Sequence, residues 1–215
     1  MKIIGLTGGI ASGKNFVAEI LAKKDAAIFD ADKEVHKLLE SDKSTILEVS
    51  KKFSQSFIDK KINRKILGEI VFSDAKKLKI LEKIIHPKIR KNHLEFLKAA
   101  KKSAKKIAVL NIPLLLEKEG YECDIIVAVI ASKALQKKRF LARCKKQNPK
   151  NFTKEKKNLA EKFEQIYSKQ ANNSERKKAA DFVINNNLSK VDTARQVKEI
   201  LNVVNALIIP HQSHS

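Results

Sequence analysis

Cysteine is almost missing from this chain. Cys123 and Cys144 are the only two in 215 residues. They share neither CxxC spacing nor a neighbouring histidine cluster, so neither a cysteine metal site nor a disulfide framework is implied. Long apolar runs are missing too. None approaches the roughly 18 residues that a membrane helix requires, and the opening MKIIGLTGG reaches glycine too soon to form a signal h-region. These absences predict a soluble, cytoplasmic protein with no membrane partner. There is no internal repeat and no heptad seam, so a monomer is the default expectation. Acidic residues are scarce beside basic ones, 24 against 45, which leaves a formal net charge of +21. Such an excess favours polyanionic ligands in general. The lysines are scattered along the whole chain among abundant Ile and Asn, as a coding bias would also leave them. No helix-turn-helix, zinc module or aromatic-interleaved basic strand accompanies them, and nucleic acid is not an expected partner.

What is present suits a folded α/β protein. With 43% hydrophobic and 32% charged residues, the chain is globular in composition and long enough for one domain with a modest insertion. Residues 2–7, KIIGLT, read as a strand, followed by a glycine turn and an amphipathic helix carrying Phe16, Val17, Ile20 and Leu21. AAIFDAD (26–32), KIAVLNIPLLLE (106–117), DIIVAVIA (124–131) and DFVINN (181–186) read as four more strands. Helical segments separate them, which predicts a parallel sheet covered on both faces. Between about 35 and 105 no strand signal is visible. Leu78, Leu81, Ile85 and Ile89 repeat there at helical spacing, Ser73-Asp74 offers a cap, and Pro87 is expected to kink the helix or mark a boundary in it. A further helix over about 153–169 follows a polar loop, VDTARQVKEILNVVNALII reads as a closing amphipathic helix, and PHQSHS as a frayed tail.

Glycine is also scarce, six in all, yet three fall between Gly8 and Gly13. Gly8-Gly9-Ile10-Ala11-Ser12-Gly13-Lys14 has the spacing GxxxxGK between a predicted strand and a predicted helix, the context that a phosphate-binding loop demands. Glycines let backbone amides turn inward around phosphates, the helix adds its positive N-terminus, and Lys14 neutralises phosphate oxygens. Asn15 stands where a magnesium-ligating hydroxyl belongs. Its amide oxygen is a neutral hard donor, so the expectation is a weakened or shifted metal site. Asp30 and Asp32 close the second strand. One suits a helix N-cap, leaving the other placed to take a proton from an acceptor hydroxyl. Arg139 and Arg143, four apart, share a helix face beside the polar loop. They read either as a clamp on a transferring phosphoryl group or, with Lys137, Lys138, Lys145 and Lys146 alongside, as a solvated basic face. His86-Pro87, on the residues alone, reads as a structural kink.

In order along residues 1–205, LTGGIASGK, FDADKEVH, NRKILGEIVF, IHPKI, NIPLLLE and ADFVINNN resemble the dephospho-coenzyme A kinase family. The resemblance implies transfer of the ATP γ-phosphoryl to the ribose 3′-hydroxyl of dephospho-coenzyme A, the last step of coenzyme A synthesis, with Mg²⁺. It implies a three-layer P-loop kinase core with a five-stranded parallel sheet (1–34, 105–146, 170–205). A helical acceptor-binding insertion (35–104), a helical lid (147–169) and a tail (206–215) would complete the chain. By the family pattern Asp32 is the acceptor-side base, with Lys14 and Arg139 as its catalytic companions. Gly9, Ile10, Ala11, Ser12, Gly13, Lys14, Asn15, Phe16, Arg143 and Asn186 would hold the nucleotide. Thr7, Asp32, Arg64, His86, Pro113, Leu114 and Leu115 would shape the acceptor side, and Glu117 completes the PLL-x-E signature. Four features depart from the pattern. Ala11 replaces a frequent glycine, acceptable only at negative φ. Asn15 replaces Ser or Thr, Asn185 and Leu188 replace an Asp and a Gly near the adenine side, and the lid looks longer than usual. Another small-molecule P-loop kinase, or an inactive nucleotide- or polyanion-binding protein, remains the alternative.

Overall fold

Apolar stretches too short for helices form the sheet at the centre of this protein. They are β1 (Lys2–Gly8), β2 (Ala27–Asp30), β5 (Ile107–Asn111), β6 (Ile125–Ile130) and β7 (Phe182–Asn185), arranged in the order β2-β5-β1-β6-β7 as a parallel sheet. β5 is buried along its whole length, as a strand covered on both faces must be. The computed structural model describes residues 1–113, 115–116 and 120–208. These fall into two units, Met1–Phe29 with the chain from Ala100 onward, and Asp30–Ala99.

In the first unit, α1 (Lys14–Lys23) and α9 (Lys190–Ala206) cover the sheet. Val17, Ala18 and Leu21 of the one, with Val197, Leu201 and Val204 of the other, share a core with Ile4, Leu6, Val109, Val127 and Val129. This burial, at about 25 cal/mol per Å² of apolar surface, is what fixes α1 against β1. Register places Leu6 beside Asn111 and Gly8 beside Val129. The carboxyl ends of β1, β5 and β6 therefore lie together, where ligands bind in open α/β sheets. The helices α6 (Lys133–Gln147), α7 (Phe152–Ser168) and α8 (Asn173–Ala179) follow β6. Phe140 of α6 meets Phe163 of α7 at a ring separation of 5.8 Å, tilted by 48°, and Phe163 stacks on Tyr167 one turn further along α7 at 5.7 Å. Glu164 accepts from both Lys133 and Lys137, and these bonds hold its carboxyl below the usual range.

The second unit consists of α2 (Ala31–Ser41), α3 (Lys43–Lys52), a 3₁₀ turn (Ser54–Ser56), the two-residue strands β3 (Phe57–Ile58) and β4 (Lys61–Ile62), and the helices α4 (Arg64–Phe72) and α5 (Ala75–Lys102). Its helices begin on short polar side chains. Asp42 caps α3 and Asn63 caps α4, while Asp74 accepts from the amides of Lys76 and Lys77 at the head of α5.

Several expectations need correction. Ala31 and Asp32 are helical, because Asp30 caps α2 and ends the second strand two residues early. The third strand stops at Asn111 instead of running to 117, since Pro113 has no amide to extend the ladder. The antiparallel pair β3–β4 was not visible to periodicity, which two-residue strands do not show, nor was the short helix α8. Pro87 marks no boundary: α5 runs through it, with Ile85 and Ile89 buried on either side, so packing outweighs the loss of one helical donor. Leu114, Glu117 and the residues after 208 lie outside the described residues.

Candidate active site

The loop between β1 and α1 is shaped by which way its peptide planes face. A turn closes it, Ser12 N–H donating to the Gly9 carbonyl at 3.1 Å. Ala11 occupies the third position of that turn at φ 53°, which overturns the expectation of negative φ. The turn itself asks for a positive angle there, and an alanine adopts it at a cost of about 1–2 kcal/mol. Gly13 follows at φ 99°, and a Cβ on it would sit 1.9 Å from Asn186 Nδ2, so no side chain fits. The Ser12 carbonyl accepts from Asn186 Nδ2 at 2.7 Å and from Arg139 Nη1 at 3.3 Å. Because a trans peptide points its C=O and N–H in opposite directions, the Gly13 amide faces away from these two donors. The Gly13 carbonyl accepts from Phe16 and Val17 inside the first turn of α1, which in the same way turns the Lys14 amide out of the helix. Successive amides at a helix N-terminus are an anion-binding arrangement.

Lys14 is 8% exposed although its head is an ammonium. Nζ donates to Asn111 Oδ1 at 2.6 Å, and Asn111 Nδ2 donates to Asn15 Oδ1 at 3.3 Å. Asn186 is fully employed: its Oδ1 accepts from Thr193, and its backbone carbonyl from Arg139 Nη2 at 3.1 Å. Arg139 thus rests on two neutral carbonyls, which leave its positive charge intact. Arg143 is exposed, its guanidinium 5.7 Å from the Phe140 ring. Asn185, one of the departures from the family pattern, accepts from its neighbour Asn187, and Leu188 is exposed.

Four side chains around the loop escaped the sequence reading. Arg176, fully buried, donates to Thr7 Oγ1 at 2.7 Å and to the Ala171 carbonyl at 3.1 Å, so Thr7 faces the protein interior. Gln170 Oε1 accepts from the Ile10 amide at 2.8 Å. Gln136 Oε1 is buried against Gly9, and Asn111 meets Lys14. Arg176 hides in the basic run ERKK, Gln136 among the lysines of α6 and Gln170 in a polar loop. Asn111 had a signal, a lone polar residue inside VLNIP.

The remaining candidates are divided between the units. Pro113 is half-buried, and Leu115 is buried against Gly5 in the core. In the Asp30–Ala99 unit, Asp30 accepts from the Lys33 amide as the N-cap of α2, and Asp32 lies exposed in the first turn. Arg64 opens α4 and is exposed. His86 is half-exposed on α5, 4.0 Å from Glu82.

A strand–glycine loop–helix whose amides turn outward, with a buried lysine at the helix head, on the central strand of a parallel sheet, defines a P-loop nucleotide-binding protein. The family model for dephospho-CoA kinase matches residues 2–192. The dephospho-CoA kinase of Bartonella henselae is 38% identical over 92% of this chain and 95% of its own, and that of Fusobacterium nucleatum 39% identical over 95% and 99%. The solved structure of dephospho-CoA kinase from Campylobacter jejuni is 29% identical with a TM-score of 0.63, covering 96% of this chain and 98% of its own. A Thermus thermophilus crystal structure reaches a TM-score of 0.76 at 25% identity, covering 94% and 96%. The chain belongs to the dephospho-CoA kinase family, phosphotransferases of coenzyme A biosynthesis.

Proposed function

We propose that this chain moves the γ-phosphoryl of ATP to the ribose 3′-hydroxyl of dephospho-coenzyme A, releasing ADP and coenzyme A, in the cytoplasm. The observation that carries the reading is the buried Lys14 at the head of α1, beside a loop whose Ser12 carbonyl is held by Asn186 and Arg139, so that the Gly13 amide turns the other way. Phosphoryl transfer asks a protein mainly for positioning and positive charge. Residues Gly9 to Phe16 supply amides to the phosphates, and Lys14 adds charge at the β and γ oxygens. Arg139, anchored on the loop and on Asn186, sits over the nucleotide. Arg143, on the next helical turn, is the cation available to the transferring group. In the transfer, the acceptor oxygen forms its bond to the γ-phosphorus as the bond to the β–γ bridging oxygen breaks. The hydroxyl proton passes to the Asp32 carboxylate, and ADP carries off the electron pair.

The segment 35–104 acts as the acceptor-binding insertion, with Arg64 and His86 on its part. The segment 147–169 acts as the lid. Magnesium fits the donor set. Among the described residues no three His, Cys, Asp or Glu side chains cluster around a cation site. An ion at the loop would be held by phosphate oxygens, water and one protein oxygen, the way Mg²⁺ is commonly held, and Asn15 Oδ1, on an exposed side chain in the first turn of α1, would be that oxygen. The ion would spread the negative charge of the triphosphate.

The test is ADP production by the purified protein with ATP and Mg²⁺, with and without dephospho-coenzyme A. Acceptor-dependent turnover is expected. Turnover unaffected by the acceptor would point to another P-loop kinase or a bare ATPase, and nucleotide binding without turnover to a binding protein.

A further inference from the structure

An asparagine at the metal position raises a problem that a serine does not: a carboxamide has two ends. If its NH₂ faces the ion it repels it, and if its oxygen does, it ligates. The structure contains what decides between them. Lys14 has only donors, so the Asn111 side chain must face it with Oδ1, at 2.6 Å. That leaves Asn111 Nδ2 facing Asn15, which must meet a donor with its own oxygen, and does, at 3.3 Å. Asn111 is 1% exposed at the last position of β5, so it has little room to turn. The polarity of one ammonium is thereby passed through two carboxamides.

We propose that Asn111 is a positioning residue whose amide, oriented by Lys14, fixes Asn15 as an oxygen ligand for the nucleotide-bound divalent cation. The inference rests on the reading of Asn15 given above and adds a specific dependence. Asn111 serves the metal only through Asn15, and it serves the nucleotide through Lys14. A hydroxyl at position 15 has no flip to set, so in that background Asn111 should be irrelevant to the metal. The Asn15 oxygen has a second lone pair, so accepting from Asn111 leaves it able to ligate.

The measurement is the affinity for ADP with saturating Mn²⁺ and again with EDTA, by calorimetry, on the unaltered protein, Asn111→Val, Asn15→Ser and the double variant. The ratio of the two affinities reports metal coupling and needs no turnover. Valine suits the end of a buried strand, so the fold is retained, and Asn111→Ala serves if it overfills the site. Asn111→Val should lower the ratio about fivefold, the worth of one fixed polar contact, in the natural background. With Asn15→Ser present it should change the ratio less than about twofold. The EDTA affinity, which reads the Lys14 contact, should fall equally in both. An equal fall of the ratio in both backgrounds, or none in the natural one, overturns the proposal. Failure of the kinase reading shows separately, as absent acceptor-dependent ADP release by the unaltered protein. A chain that binds no ADP overturns both.

Discussion

Around the phosphate loop, the side chains that set the backbone come from far along the chain. Asn186 reaches Ser12 across 174 residues, Arg176 reaches Thr7 across 169, and Gln170 reaches Ile10 across 160. In the Asp30–Ala99 unit the corresponding work is local: Asp42 serves Thr45, Asn63 serves Ile66, and Asp74 serves Lys77, each three residues on. The burial of charge differs in the same direction. Lys14 and Arg176 are buried in the first unit, whereas Lys88 in the second meets Asp42 and Glu48 at the surface. A loop that must hold an unusual backbone against a ligand's charge is braced from outside its own segment. A unit that has only to present helices can rely on caps.

The contrast is tested most severely at Lys14. Lys14→Met keeps the volume of the side chain and should lower acceptor-dependent ADP production by about 10² or more while the unfolding midpoint barely moves. A loss below tenfold would mean that the buried ammonium does not serve the phosphates. Next comes Gly13→Ala, which forces a Cβ onto Asn186 at φ 99° and should destabilise by on the order of 3 kcal/mol in urea unfolding. Arg176→Met leaves the Thr7 hydroxyl and the Ala171 carbonyl without this donor and should cost about 2 kcal/mol. An unchanged midpoint would show that the long-range brace is dispensable.

Asp42→Asn probes the local side: asparagine keeps the cap, so only the charge facing Thr45 and Lys88 is lost, and the cost at neutral pH should be about 0.5–1 kcal/mol. Hydrogen bonds from the Thr45 hydroxyl and amide, with Lys88 beside them, hold the Asp42 carboxyl below its ordinary value. A carboxyl depressed in the folded state stabilises above its unfolded value near 4 and loses that contribution as pH falls through the folded one. The difference between the two proteins should therefore shrink below about pH 4. A constant difference down to pH 2 would remove the charge from the explanation. Smallest is Ala11→Gly. Relief of the left-handed alanine, about 1–2 kcal/mol, exceeds the added freedom of the unfolded chain, about 0.4–1 kcal/mol, so a gain of roughly 0.5 kcal/mol is expected. A loss would mean that alanine supports the loop by contact.

The sheet was largely legible because a parallel strand buried on both faces is a continuous apolar run. β1, β6 and β7 fall within a residue of where hydropathy placed them. The phosphate loop was legible because glycines and a lysine at fixed spacing have few other uses. That one of Asp30 and Asp32 would cap a helix followed from two carboxylates before it; that it is Asp30, with Asp32 in the first turn, came from the fold. Of the four braces, Asn111 alone left a signal, a polar residue inside an apolar strand; Arg176, Gln136 and Gln170 were not legible, since an arginine or a glutamine among polar residues looks the same whether it faces water or the backbone.

By itself, then, the order of residues determined the strands of the central sheet, though not all their ends, and the loop with its lysine, because these depend on local periodicity and spacing. Only the tertiary structure decided that Ala11 takes a positive φ, that Arg139 and Asn186 share the Ser12 carbonyl, and that Lys14, Asn111 and Asn15 form one line of donors and acceptors. Those features depend on the direction in which a polar group faces, and that is fixed by partners the chain brings near only when it folds.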